Sequence, residues 1–380
     1  MVQKFVHQIG EKIKSLDFKE IAQKFIKSQL GLPIIALIVM LVVNLFVNIY
    51  LGRNFFKISI SHDLNGNPIL YGFIIDILNR SCELIILAVG MTLVVASSRG
   101  TDISVGAIMA VSGAIIVRLL GSSYDGYAML PALAIFFGLL GGVACGAFNG
   151  LLVARLNIQP MVATLILFTA GRGIAQLISS NANATGIILY VRMESFKWIG
   201  SFIPGCPVPT PIFIVVLFVL LTQLLLKKTA LSTYIQTVGI NAKAGRLVGI
   251  NSTLVMFFCY VFCGLSAGVA GTIASSRIYS SDANNIGLNL EMDAILAVAL
   301  GGNSLGGGKF NLAGSIIGAI TIQCLTTSLY SIGVSADQLP VYKAIVVILI
   351  VLFQSPAFSK LRARVKLYLK NKANKEGVVA

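Results

Sequence analysis

The stretch STLVMFFCYVFCGLSAGVAGTIAS, residues 252–275, decides the fold class of the chain. It carries no charged side chain, and it is longer than the ~18 apolar residues that mark a helix able to cross a bilayer. Gly264, Gly268 and Gly271 recur at spacings of four and three, which places them on one helix face where another backbone can approach closely. The stretch therefore predicts a transmembrane helix that packs tightly against its neighbours.

The composition extends this prediction to the whole chain. Hydrophobic residues make up 56% of the 380 residues and charged residues only 11%, against roughly a quarter in typical soluble domains. A soluble fold cannot hide so much apolar surface with so little charge, so we expect an all-α polytopic membrane protein with about ten transmembrane helices. The predicted membrane segments are 30–51, 72–97, 103–120, 129–153, 160–179, 211–226, 252–275, 291–308, 311–332 and 339–354.

Basic residues at both ends of the chain predict its orientation. Residues 1–28 contain six Lys, and residues 356–380 contain seven Lys or Arg. Basic clusters beside apolar spans mark the cytoplasmic face, so both termini are predicted to be cytoplasmic and the number of crossings even. Segment 291–308 is open between a half-helix and a full crossing, and parity favours the crossing. The net charge of +15 thus indicates orientation and contact with the lipid bilayer, not a nucleic-acid partner.

Three regions follow along the chain. Residues 1–29 predict a basic amphipathic segment on the cytoplasmic membrane surface, because apolar positions recur at roughly helical spacing among lysines. Residues 30–355 form the predicted transmembrane domain, which includes a cytoplasmic loop at 227–251. Residues 356–380 form a basic cytoplasmic tail.

The chain is predicted to have no nucleotide, metal or catalytic site of its own. The run GGNSLGGGK at 301–309 superficially resembles a phosphate-binding loop, but Asn303 and Phe310 stand where that motif needs Gly and Ser or Thr. Cys259 and Cys263 are one helical turn apart, yet no His or carboxylate lies near them in sequence, so a metal pair is not expected. We therefore expect no bound cofactor and no enzymatic activity.

Polar residues at membrane depth are costly and mark either packing contacts or a transport path. Four-residue spacing predicts an ion pair between Asp76 and Arg80, and Glu291 and Asp293 are interpreted in the same way. Packing and transport are equally open roles for Asn149 and Arg172. The residues predicted to line a translocation path are Asn79, Asn149, Thr164 and Arg172.

The segment YIQTVGINAKAGRLVGI, residues 234–250, has more specific character than a loop between membrane spans needs. It combines Lys243 and Arg246 with several small residues. This composition favours a compact helix that lies against another protein on the cytoplasmic side. Because the chain lacks a nucleotide site, that partner is expected to supply the energy.

Several longer strings carry a family resemblance over about residues 68–355. They are PILYGFIIDILNR (68–80), GMTLVVASSRGTDISVGAIMAVSG (90–113), NGLLVARLNIQPMVATLILFTAGRGIAQLI (149–178), KTALSTYIQTVGINAKAGRLVGIN (228–251) and SDANNIGLNLEMDAILAVALGGNSLGGGKFNL (281–312). With these strings the chain resembles the permease subunits of bacterial ATP-binding-cassette (ABC) sugar importers of the ribose, xylose and arabinose type. The runs DANN and KTAL are similar to the galactofuranose branch.

The resemblance implies a multi-pass protein of the bacterial cytoplasmic membrane that carries a galactofuranose-like or related monosaccharide. It implies three partners: an ABC ATPase subunit that binds ATP, an extracytoplasmic sugar-binding protein, and a second permease copy or a sister permease. Arg99 and Thr101 depart from the family, where Gly-Gly usually stands at this position. Segment 234–250 matches the loop that docks on the ATPase, with the predicted coupling residues Val238, Gly239, Ile240, Asn241, Ala244, Arg246, Gly249 and Ile250.

Two other functions stay open at this point. An ion-coupled secondary transporter or a channel would need no ATPase, and the sparse embedded carboxylates and the lack of recognisable paired half-helices count against it. An ABC permease for a nucleoside or a furanone signal differs only in its ligand.

Overall fold

The computed structural model describes residues 30–354 except 53, 55–56, 63–65, 122–127, 181–187 and 192. The predicted amphipathic segment 1–29 and the basic tail 356–380 lie outside the described residues. The helices are α1 Gly31–Tyr50, α2 Phe73–Arg80, α3 Cys82–Ser98, α4 Val105–Leu120, α5 Pro131–Gly150, α6 Pro160–Ser179, α7 Glu194–Gly200, α8 Thr210–Lys228, α9 Leu231–Leu247, α10 Ser252–Ile278, α11 Leu290–Leu300, α12 Leu312–Ser331 and α13 Leu339–Gln354.

Short strands and one π-helical turn complete the described part of the chain. The π turn Leu151–Arg155 continues α5. Strands β1 Ser59–His62 and β2 Pro68–Tyr71 form an antiparallel pair in which Ser59 lies opposite Tyr71. Strands β3 Ile188–Tyr190 and β4 Ser280–Asp282 form a second antiparallel pair in which Ile188 lies opposite Asp282.

Helix α10, which contains the opening stretch, is the centre of the bundle and packs against α3, α4, α5, α7 and α9. Its contact with α5 is made by glycine faces: a Cβ on Gly142 would lie 2.6 Å from the carbonyl oxygen of Gly264, and one on Gly146 would lie 2.9 Å from the Cα of Gly264. The predicted close helix packing is confirmed at this contact, because only glycine lets these backbones come so near each other.

The described helices confirm the helical class and include several candidate membrane spans. Among the described residues, six helices are long and apolar enough to cross a membrane, or up to seven when α2 and α3 count as one span bent by 40°. The predicted segment 160–179 coincides with α6, whereas the predicted segment 72–97 is broken at Ser81. Both the count of ten crossings and the side of the termini stay predictions.

Helices α4 and α11, of 16 and 11 residues, both begin inside the bundle. Gly106, in the first turn of α4, packs against Gly287, which precedes α11. From there α4 runs toward the end of α10, where Gly113 meets Ser275, while α11 runs the other way. With 11 residues α11 is about 16 Å long. The sequence argument did not recognise this pair of helices, because the places where they begin depend on tertiary packing that hydropathy does not record.

Residues 280–308 nevertheless pass from one end of the bundle to the other. They leave the end of α10 through β4 and the turns at 283–289, continue as α11, and reach the last turn of α3, where the Gly308 amide donates to the Ala96 carbonyl at 2.9 Å. The segment predicted at 291–308 is thus a half-helix within a longer passage, since extended turns supply the rest of the path.

Candidate functional site

Segment 234–250 folds as two helices that meet at Asn241. Helix α9 is interrupted there, because Asn241 has an extended backbone with φ −158° and ψ 100°. The Asn241 Oδ1 accepts hydrogen bonds from the amides of Lys243 at 3.0 Å and Ala244 at 3.1 Å, which is the N-cap arrangement. Residues 242–247 therefore form a short separate helix, called the coupling helix below.

The coupling helix also has its own C-terminal stop. The Ile250 amide donates to the Gly245 carbonyl at 3.0 Å, and Gly249 adopts φ +82°, a conformation that favours glycine. Arg246 Nε donates to Ser252 Oγ at 2.6 Å, which ties the helix to the start of α10. Local hydrogen bonds thus define both ends of this short helix.

The coupling helix presents apolar side chains outside the bundle. Leu247 is 89% exposed, Val248 is 72% exposed, and Ile240 is exposed on the other side of the break. Leu247 and Val248 lie within the predicted docking segment, although neither was one of the individually named coupling residues. The sequence feature that could have indicated their exposure is a pair of branched apolar residues directly after the basic Arg246 in a loop.

Val238 and Gly239 were predicted to lie on the docking surface, but both are buried. Gly239 sits against the last turn of α3, where a Cβ would collide with the Ala96 carbonyl and would lie 2.6 Å from the Gly308 amide nitrogen. This correction has a simple cause: the two residues precede the break at Asn241 and face the bundle. Of the predicted residues, Ile240, Asn241, Ala244, Arg246 and Gly249 are exposed, and Ile250 is half-buried.

Arg99 connects the end of α3 to the residues just before the break. It has a left-handed backbone with φ 59° at the C-cap of α3. Its Nε donates to the Gly239 carbonyl at 2.6 Å, and its Nη2 donates to the Ile240 carbonyl. These carbonyls lie where α9 is interrupted, and a cation is the favoured group at such a helix end. The departure from the family pattern at Arg99 thus has a defined structural role.

Two of the predicted path residues meet at the break between α3 and α4. Asn149 Nδ2 donates to Ser104 Oγ at 2.8 Å, and the Ser104 hydroxyl donates to Asp102 Oδ1 at 2.6 Å. The Ile103 amide donates to Thr164 Oγ1 at 3.3 Å. Asn149 and Thr164 are fully buried, so their polar groups hold α4, α5 and α6 together at this point.

The other two path residues lie in separate groups. Arg172 Nη1 donates to carbonyls of the turn after β4, at 2.8 Å for Asn284 and 3.2 Å for Ile286. The Asn79 carbonyl accepts from Arg277 Nη2 at 2.9 Å. The structure therefore does not bring all four predicted path residues together. Three of them keep a buried polar atom without a hydrogen-bond partner: Asn79 Oδ1, Asn149 Oδ1 and Arg172 Nη2.

The embedded ion pairs differ from those that four-residue spacing predicted. Glu83 pairs with Arg277 of α10 at 2.8 Å, and Asp293 pairs with Lys343 of α13 at 2.7 Å. In the part of the chain that the structure describes, no ion pair joins Asp76 to Arg80. Both observed pairs join helices that are distant in sequence, which local spacing cannot predict.

Comparison with known proteins identifies the family to which the chain belongs. A family model described as the branched-chain amino acid transport system / permease component matches residues 73–354. The galactofuranose transporter permease protein of Escherichia coli is 44% identical over 296 residues, which cover 77% of this chain and 82% of that protein. The fructose import permease protein of Bifidobacterium longum is 36% identical over 373 residues, covering 98% and 100%.

The ribose import permease protein of Escherichia coli is 36% identical over 296 residues, covering 78% of this chain and 89% of that protein. No solved structure matches the chain.

Proposed function

The chain belongs to the family described as the permease component of branched-chain amino acid transport systems, and from this membership we propose that it is the transmembrane permease subunit of an ABC importer for a monosaccharide. It is a multi-pass protein of the bacterial cytoplasmic membrane. The three relatives described above are named as permeases for galactofuranose, fructose and ribose. A galactofuranose-like hexose or pentose is accordingly the proposed cargo.

The exposed coupling helix is the observation that carries this proposal. Leu247 and Val248 are apolar and stand away from the bundle, while Lys243 and Arg246 on the same short helix are charged. The two charges keep the helix out of the hydrocarbon of the bilayer. An exposed apolar tip with a charged surround is typical of a protein docking surface. We assign it to the ATPase subunit, which binds the ATP that drives transport.

The contacts behind the coupling helix give its movement a route into the bundle. Arg99 links the residues before the break to α3, and the Gly308 amide links α3 to the turn that precedes α12. Docking of the ATPase in its ATP-bound form then favours one packing of these helices over another. Glycine contacts such as that of Gly146 with Gly264 permit a small number of close packings, not a continuous range.

The remaining partners follow from the direction of transport. An extracytoplasmic sugar-binding protein delivers the cargo on the face opposite the ATPase, and a second copy of the chain or a sister permease completes the path. Asn79, Asn149, Thr164 and Arg172 remain the proposed path residues. Three of these residues have a buried polar atom without a hydrogen-bond partner. Such an atom is expected of a side chain that changes its hydrogen bonds during a transport cycle.

The test is ATP-driven sugar uptake by the complete transporter in vesicles, with Leu247→Asp in this chain. A charge at the centre of the docking surface is expected to lower uptake by about tenfold or more, the loss typical of an interface hot spot, and to release the ATPase on purification. Ile60→Asp is the matched control for ATPase retention on purification, because Ile60 is an exposed apolar residue on β1, away from the coupling helix.

Two results would oppose the proposal. Full uptake and normal ATPase retention in Leu247→Asp would remove the docking assignment. Sugar flux driven by an ion gradient in vesicles that contain this chain alone would instead support the secondary-transporter alternative.

A further inference from the structure

A cavity of about 300 Å³ lies at the end of the bundle opposite the coupling helix. Helix α10 begins at Ser252, directly after the coupling segment, and its 27 residues end at Ile278 beside Tyr279 of the cavity wall. A helix of this length spans about 40 Å. The cavity and the coupling helix therefore lie on opposite faces of a membrane that the bundle spans.

One face of α7 forms the floor of the cavity. Lys197 and Trp198 lie three and four residues after Glu194, which places both beside Glu194 on this helix, and all three residues line the cavity. The other side of α7 is packed away: Phe196 is fully buried, and Gly200 lies against the backbone of Arg277. The polar and aromatic residues of α7 are thus turned to the cavity by burial of its apolar side.

Hydrogen bonds fix this wall to the end of α10. Ser276 Oγ donates to the Phe196 carbonyl at 2.6 Å and accepts from the Gly200 amide at 2.7 Å. On the opposite side of the cavity, the Leu70 amide in β2 donates to the Pro207 carbonyl at 2.9 Å. Backbone hydrogen bonds therefore hold both walls of the cavity against neighbouring elements.

The lining residues combine aromatic surface with charged and amide groups. Trp198 is 39% exposed, and Tyr279 has the ammonium of Lys197 at 5.3 Å from its ring centroid. Lys197 Nζ also lies 3.8 Å from Glu194 Oε2, and the amide of Asn67 borders the same space. A sugar ring has an apolar face of C–H groups and a rim of hydroxyls, which match an aromatic ring beside donors and acceptors.

The geometry points to a binding site for a single monosaccharide on this face of the permease. The C–H face of the sugar packs on Trp198, Glu194 accepts a hydrogen bond from one hydroxyl, and Lys197 and Asn67 donate to others. The size fits one ring, since 300 Å³ is near the lower limit of ~300–1,000 Å³ for small-molecule pockets. This inference rests on the proposed function, because it gives the imported sugar a holding point before it enters the path.

The fluorescence of Trp198 tests the site directly, because the chain contains a single Trp. The full chain is reconstituted in lipid vesicles without its partners and titrated with galactose, ribose and fructose. Each sugar that binds is expected to change the emission in a saturable way, whereas the disaccharide trehalose at equal concentration is expected to leave it unchanged. Glu194→Gln is expected to raise the half-saturating concentration about tenfold, as for the loss of one hydrogen bond to a charged group.

Asp337→Asn is the matched control, because Asp337 is an exposed carboxylate in the turn after α12, outside the cavity. It is expected to titrate like the unmodified chain. Emission that no monosaccharide changes, an equal response to trehalose, or an unaltered titration in Glu194→Gln would each overturn the site. So would a response only to added sugar-binding protein, which would make the cavity a protein contact.

ATP-driven uptake is measured in a second preparation, in which the same chain is reconstituted together with its partner subunits. If sugar uptake is normal but no sugar changes the Trp198 emission, the cavity site is wrong and the proposed function stands. Saturable fluorescence without ATP-driven uptake supports the site and removes the importer function.

Discussion

Arg99 joins two parts of the chain that are 140 residues apart in sequence. Its guanidinium donates to the Gly239 and Ile240 carbonyls, at the point where α9 is interrupted before the coupling helix. Neither carbonyl has a helical partner on the far side of the break, so the cation satisfies groups that are costly to leave unpaired. At this position a side chain joins the residues just before the coupling helix to the end of α3.

We predict that Arg99→Ala uncouples ATP hydrolysis from transport. The coupling helix keeps its own caps and still binds the ATPase, but its displacement no longer pulls on α3. In the reconstituted complete transporter, sugar uptake is expected to fall about tenfold, as for the loss of hydrogen bonds to a charged group, while ATP hydrolysis continues. Arg99→Lys is expected to be intermediate, because an ammonium cannot reproduce the two-pronged donor geometry.

Arg155→Ala serves as the control, since Arg155 is an exposed cation at the end of the π turn and lies outside the coupling contacts. Loss of uptake and of hydrolysis in equal proportion in Arg99→Ala would show a general folding defect and contradict the transmission role.

Local rules explain which single residues could be predicted from the sequence. Asn241 and Gly249 are a helix N-cap and a positive-φ stop, and both depend on neighbours within a few residues. The burial of Val238 and Gly239 depends instead on α3, which lies far earlier in the chain. Sequence patterns place such residues in the right segment but cannot give the face that they present.

Among the elements, continuous apolar helices were predictable in full, whereas for segment 291–308 the sequence left a half-helix and a full crossing open. The bounds of α6 match the predicted segment 160–179, because Pro160 starts the helix and hydropathy defines the rest. Helix α11 stops at Leu300, where the Asn303 side chain donates to Ser315 Oγ at 2.9 Å and accepts from the Asn311 amide at 2.6 Å. Such breaks are set by contacts between elements, which a hydropathy window does not contain.

The pair Glu83–Arg277 gives an element-scale prediction, because it connects the start of α3 to the end of α10. Both side chains are largely buried, so Arg277→Gln leaves an uncompensated carboxylate and is expected to destabilise the fold by about 2–3 kcal/mol, at or below the usual range for breaking a buried pair. The measurement is the free energy of unfolding in detergent for Glu83→Gln, Arg277→Gln and the double variant.

The double variant is expected to lose less free energy of unfolding than the two single variants lose together. The difference, which is the coupling energy, is expected to be about 1 kcal/mol or more. Lys197→Gln is the comparison, because its exposed pair with Glu194 is expected to contribute only about 0–1 kcal/mol. Strict additivity of the two single losses would show that the Glu83–Arg277 contact does not stabilise the bundle.

At the scale of the whole molecule, α4 and α11 start from one contact inside the bundle and run in opposite directions. Both helices begin where Gly106 meets Gly287, and they run from this contact toward opposite ends of α10. The strings DISVGAIMAVSG and DAILAVALGG, which are faintly similar in the sequence, lie on these two helices. The similarity was too weak to define a repeat on its own, because a dozen apolar residues carry little positional information.

Cysteine labelling tests whether the passage 280–308 connects the two membrane faces. Native Cys206 is half-buried at the cavity end of the bundle, whereas Leu247 and Ser304 are exposed at the coupling end. A membrane-impermeant maleimide is therefore expected to label Cys206 in right-side-out vesicles only, and Leu247→Cys and Ser304→Cys in inside-out vesicles only. Cys206→Ser identifies the native signal. If Ser304→Cys reacts from the same side as Cys206, the chain turns back within the bundle between α10 and α12, and the coupling contact of Gly308 with Ala96 cannot exist as described.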